Sequence, residues 1–191
     1  MAASKKNAAR LGAHVVFVDE SGFALLPSVQ KTWAPRGVTP ILRHRLRRLR
    51  LSAISGVSVS PVRQRVGLYA LLGEASIGHV EVFGFLRELM RQLRGSLVVL
   101  WDNATIHKGD AMRSFLSRHP RLHLEAFPPY APELNPDEGV WNHCKHYLAN
   151  SSPDDLHELA RNVSRQLRKL RGSQDRLRAL IRQSELPPFL A

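Results

Sequence analysis

The chain is short of acid, nearly without cysteine, and has no long apolar run. One cysteine, Cys144, in 191 residues excludes an internal disulfide and a cysteine-rich zinc site. No stretch of 18 or more apolar residues is present, and Met1-Ala2-Ala3-Ser4-Lys5-Lys6 has no hydrophobic signal region behind its lysines. A soluble, intracellular protein is therefore expected. Asp and Glu number 16 against 28 Lys and Arg, leaving a formal net charge of +12. Charge of that size draws polyanions, of which nucleic acid is the commonest in a cell.

The basic residues are clustered. Arg43, Arg45, Arg47, Arg48 and Arg50 fall within eight residues, and Arg161, Arg165, Arg168, Lys169 and Arg171 crowd the C-terminal region. Such clusters can hold a DNA backbone without choosing a sequence. The bland alternative is that the charge only aids solubility.

The few acids fall in telling places. Val15-Val16-Phe17-Val18 runs into Asp19-Glu20, and Leu97-Val98-Val99-Leu100-Trp101 runs into Asp102-Asn103. Unbroken Val, Leu and Phe runs of this length suit strands buried on both faces. A third acid pair, Asp137-Glu138, opens a helix: Asn135 is a cap, Pro136 suits the first turn, and Val140, Trp141, Cys144, Tyr147 and Leu148 form the inner face. Each acid has a structural alternative. Asp19-Glu20 and Asp102-Asn103 could close turns, and Glu138 could reach back to complete a capping box. Brought together at the rim of a core, however, three carboxylates repel one another unless a cation sits among them.

The order of elements brings them together. The pattern predicts a strand at 14–18 with a turn at Ser21-Gly22, and strands at 49–60 and 66–72. An amphipathic helix follows at 78–93, then a strand at 97–101, a helix at 110–118 and a strand at 122–126. A loop at 127–132 precedes the helix from Pro136, and a last helical region at 153–182 breaks at Gly172. The division is a basic N-terminal lead at 1–13, a catalytic domain at 14–150 and a C-terminal basic helical region at 151–191. The fold class expected is α/β, a ribonuclease-H-like mixed sheet flanked by helices, with the first and fourth strands side by side. Their ends then place Asp19 beside Asp102, and the helix from Pro136 delivers Glu138 to the same point. Phosphodiester cleavage is the chemistry that wants such a trio: two divalent ions roughly 3.5–4 Å apart serve the attacking and leaving oxygens. Magnesium needs only hard oxygen ligands and waters, so no histidine cluster is required.

Three segments carry a resemblance. They are Val18-Asp19-Glu20-Ser21-Gly22-Phe23, Trp101-Asp102-Asn103-Ala104-Thr105-Ile106-His107, and Tyr130-Ala131-Pro132-Glu133-Leu134-Asn135-Pro136-Asp137-Glu138-Gly139-Val140-Trp141. Together they resemble the DDE transposases of the mariner-like superfamily, in its bacterial insertion-sequence branch, across residues 14–150. The 35 residues between Asp102 and Glu138 agree with that superfamily's spacing. The resemblance implies that Asp19, Asp102 and Glu138 are the catalytic, metal-binding triad for Mg2+ or Mn2+, two ions in all, and that Glu20, Glu133 and Asp137 are not ligands. Asp137 stays the competitor of Glu138, because sequence alone does not orient this helix. Asn103, His107, Arg36, Arg43, Arg45, Arg47 and Arg48 are candidate phosphate or DNA contacts. Trp33, in the hairpin after the first acid, is expected to pack.

The resemblance further implies DNA partners at the element's ends and target, a homodimer in the active complex, no membrane, and a cytoplasmic, nucleoid-associated location. Transposases of this kind carry helix-turn-helix modules before the first acid, so Met1 looks like the start of a second reading frame joined by frameshifting to such a half, or of a truncated copy. The function expected is cleavage and strand transfer in DNA transposition. The alternative is a catalytically silent DNA-binding fragment that regulates a full-length transposase, with a nuclease of RNA–DNA hybrids a more distant third.

Overall fold

The computed structural model describes residues 2–26, 28–41, 49–62, 64–102, 109–129 and 131–186, without the side chains of Ala2 and Ala3. The elements are α1 (Ala2–Leu11), β1 (His14–Ala24), β2 (Arg50–Val59), β3 (Val66–Gly73), α2 (His79–Gln92), β4 (Leu97–Trp101), α3 (Asp110–Ser117), β5 (Leu122–Ala126), α4 (Pro136–Leu148), α5 (Leu156–Arg171) and α6 (Gln174–Gln183). The strands form one mixed sheet in the order β3-β2-β1-β4-β5. β1 to β3 are antiparallel, whereas β4 runs parallel to β1 and β5 parallel to β4. This is the ribonuclease-H-like α/β architecture expected from the order of elements.

Alternation along the central strands sorts their side chains onto two faces. Val16 and Val18 of β1 pack with Val99 and Trp101 of β4 under α2 and α3, where Phe83 and Phe115 stack at 4.6 Å between centroids. Val15, Phe17 and Phe23 pack with Val98 and Leu100 on the other face, under α1, α4, α5 and α6. The C-terminal helices supply Leu159, Val163, Leu167, Leu170, Leu177 and Ile181 to that same core. Cys144 is fully buried there, and burial pushes its thiol up to about 12.

Within the N-terminal lead an alanine-rich stretch, intrinsically favourable to helix, forms α1, burying Ala8 and tying Asn7 Nδ2 to Glu125 Oε1 at 2.8 Å. Three local expectations are corrected. β1 does not turn at Ser21-Gly22 but continues to Ala24, because Ser21 and Gly22 pair with Ala53 and Ser52 of β2. Trp33 does not pack; it is fully exposed in the β1–β2 connection. Tyr147, expected to be covered on the inner face of α4, is 53% exposed.

Candidate active site

Register fixes the first two acids. Phe17 pairs with Leu100 across the parallel β1–β4 ladder, so Asp19, still within β1, and Asp102, just past the end of β4, two residues on in each strand, come side by side. Both share the parity of Phe17 and Leu100, and so face the side covered by α4. Glu20 has the opposite parity and faces the α2–α3 side.

The third acid comes from the start of α4. Asn135 caps the helix, its side chain accepting from Asp137 N at 3.2 Å. The Asn135 N–H donates to the Pro132 carbonyl at 2.9 Å within a 3-10 turn at Pro132–Leu134, so it has a partner without a reciprocal capping bond from Glu138. Asp137 and Glu138 diverge. Asp137 is fully buried against β2, accepting from the Ser55 hydroxyl and from Val57 N at 3.1 Å. Glu138 instead lines a cleft of about 430 Å³ together with Asp19, Asp102 and Asn135, walled by Phe127, Pro128, Pro129 and Pro132. Gly139 admits α6 behind it, since a Cβ there would stand 2.8 Å from Leu180 Cδ2.

The electrostatics follow from that convergence. Burial, then the charge of Glu138 and more weakly that of Asp102, raise the Asp19 carboxyl to about 7, against a backbone hydrogen bond that favours its ionised form. The indole N–H of Trp141 lies near enough to offset part of the rise but falls short of hydrogen-bond geometry. Glu20 is also raised to about 7, by burial and then by Asp102 and Asp19. Reading the sequence by parity alone missed how strongly Glu20 feels the cleft from the other face. Burial raises Asp137 well above the carboxylate range, its hydrogen bonds notwithstanding.

The donor set is all carboxylate, and the crowding of negative charge around Asp19 is what a divalent cation relieves. Among the described residues no three His, Cys, Asp or Glu side chains stand close enough to enclose an ion unaided. Such an open set fits Mg2+, which binds through one or two carboxylates and keeps its other positions for water and substrate phosphate.

Of the remaining candidates, Arg36 is exposed in a turn closed by Val38 N and the Pro35 carbonyl at 3.0 Å. Asn103, His107, Arg43, Arg45, Arg47 and Arg48 lie outside the described residues. Glu133 is exposed on the 3-10 turn and does not line the cleft.

The sequence model of the DDE superfamily endonucleases matches residues 14–160, spanning every element that builds the cleft. The chain belongs to that family. This DDE-family chain has no match among curated proteins. Its structure is similar to a Mos1 transposase paired-end complex with the left transposon end, at 18% identity and a TM-score of 0.55, covering 95% of this chain and 62% of that one. It is likewise similar to the mariner Mos1 paired-end complex with Mn, at 19% identity and a TM-score of 0.55, over 96% and 60% of the two chains. The catalytic domain of Mos1 mariner transposase matches at 15% identity and a TM-score of 0.51, over 96% and 90%. At such identities the likeness establishes the fold. The chain spans about three fifths of the length of the transposases in the first two complexes. Among the described residues no helix is long and apolar enough to cross a membrane.

Proposed function

We propose that this chain is the catalytic domain of an insertion-sequence transposase, cleaving DNA phosphodiesters and transferring the freed strand, with Asp19, Asp102 and Glu138 holding two divalent ions, Mg2+ or Mn2+. One observation carries the reading: carboxylates from β1, from the end of β4 and from the first turn of α4 line a single cleft, where Glu138 and Asp102 help to raise Asp19 to about 7. Divalent ions bound there supply a positive charge beside the scissile phosphate and lower the pKa of water.

The chain's own residues supply the rest. Asp19 and Asp102 are fixed by the β1–β4 register, and Glu138 by the capped first turn that Asp137 ties to β2. Phe127 and the prolines beside it give the cleft a stiff, largely apolar wall that limits water on one side of the carboxylates. The excess of Lys and Arg holds the polyanionic substrate. That similar structures are transposase complexes with a transposon end supports DNA ends as the substrate. Recognition of those ends by an upstream helix-turn-helix half joined by frameshifting, action as a homodimer, and work on the bacterial nucleoid belong to the same proposal, as does its division into a lead at 1–13, a catalytic domain at 14–150 and a C-terminal helical region.

The test is nicking of supercoiled DNA with Mg2+ or Mn2+, beside Asp102→Asn. Metal-dependent nicking that the variant loses while still binding DNA is the expected result. Retained nicking in Asp102→Asn overturns the assignment, and no nicking by folded, DNA-binding wild type favours the silent regulatory fragment.

A further inference from the structure

Gln166, on α5, is 1% exposed, and neither its amide nitrogen nor its amide oxygen has a hydrogen-bond partner. A buried amide left unsatisfied is destabilising, so one that persists calls for a partner. This one lines a pocket of about 580 Å³ between α4, α5 and the start of α6, shared with His143, Tyr147, Lys169, Ser173 and Arg176. His143 Nε2 is a second buried polar atom there without a partner.

The pocket is positive. Lys169 Nζ stands 4.8 Å from the centroid of the Tyr147 ring, which holds the ammonium at the pocket. Among the described residues neither Lys169 nor Arg176 has a carboxylate at ion-pair distance. Ser173 caps α6, so the positive end of that ten-residue helix also points here. Burial, then the charges of Arg176, His146 and Lys169, hold His143 below its usual range, so its ring is neutral and one nitrogen can donate. Asp175, in the first turn of α6, is exposed and does not line the pocket.

We propose that this pocket is a phosphate-binding site separate from the carboxylate cleft, in which Lys169 and Arg176 supply charge while Gln166 and His143 donate the hydrogen bonds that seat the phosphate. A phosphate accepts from several donors at once and so gives both the Gln166 amide nitrogen and His143 Nε2 a partner, which an apolar ligand cannot do; the Gln166 amide oxygen, an acceptor, is left to a water carried in with it. The two sites have no residue in common. His143 lies five residues beyond Glu138, roughly 7 Å along the α4 axis and about 140° around it. The phosphate is either one of a DNA backbone or a free ion.

The experiment uses the whole chain in EDTA, so that the carboxylate cleft takes no metal-dependent part. Inorganic phosphate is titrated while the Gln166 side-chain amide resonance is followed, assigned as the one missing in Gln166→Leu. Binding of a duplex of arbitrary sequence is then measured against salt for wild type, Gln166→Leu and the double variant Lys169→Gln/Arg176→Gln. Phosphate should shift the Gln166 resonance, and Gln166→Leu should melt no lower than wild type because it removes an unsatisfied amide. If DNA is the source, the double variant binds duplex severalfold more weakly and its salt slope falls by about 2. Unchanged duplex binding with a shifted resonance assigns the site to free phosphate. An unmoved resonance together with unchanged duplex binding and salt slope in the variants overturns the proposal.

Discussion

The hydroxyl of Ser55 donates to the carboxylate of Asp137, a bond that joins the middle of β2 to the first turn of α4 one residue before Glu138. Val57 N, at 3.1 Å, closes the clamp on the other carboxylate oxygen. Two acids adjacent in sequence thus have different duties. Asp137 anchors the helix, and Glu138 reaches the cleft.

Removing the anchor strands buried donors. Asp137→Ala leaves the Ser55 hydroxyl and Val57 N without their acceptor and is expected to destabilise the fold by about 2–4 kcal/mol. Urea unfolding of Asp137→Ala, Ser55→Ala and the double variant measures this, and the coupling between the two sites should be well above the ~0.5 kcal/mol expected of independent positions. Additive, small effects would mean that the clamp contributes nothing.

The sheet and its acid-tipped strands were legible because buried strands and amphipathic helices write their period directly into sequence. The predicted strand at 122–126 and the helix opened by Asn135 and Pro136 coincide with β5 and α4. What local pattern could not carry was long-range. The orientation of Asp137 depends on Ser55 and Val57, some 80 residues away. Ser21-Gly22, a turn by composition, is held extended by pairing with β2. Trp33 and Tyr147 followed the rule that aromatics pack, yet both stand exposed. The vacant hydrogen bonds of Gln166 have no sequence signature, since a lone glutamine on a helix is ordinarily a surface residue.

Glu20 sets a pH dependence. Its folded-state pKa, about 7, lies above its ordinary 4.5 because of burial and the charges of Asp102 and Asp19. The folded chain therefore holds this proton more tightly than the unfolded one. Its contribution is fully present below about 4.5 and is lost as pH rises through about 7. In EDTA, stability measured from pH 4 to 8 should fall more steeply for wild type than for Glu20→Gln. Parallel curves would show that Glu20 does not feel the cleft.

The most direct test of the central claim, that Asp19, Asp102 and Glu138 form one divalent-ion site, is the melting temperature of wild type and Asp19→Asn, each in EDTA and in Mn2+. Asp19→Asn removes a desolvated carboxylate raised to about 7 partly by its two neighbours, so it should melt higher than wild type in EDTA. Mn2+ should then raise the melting temperature of wild type, by linkage of binding to folding, and leave the variant nearly unmoved. An Asp19→Asn protein that melts lower in EDTA and gains as much from Mn2+ as wild type would contradict the account.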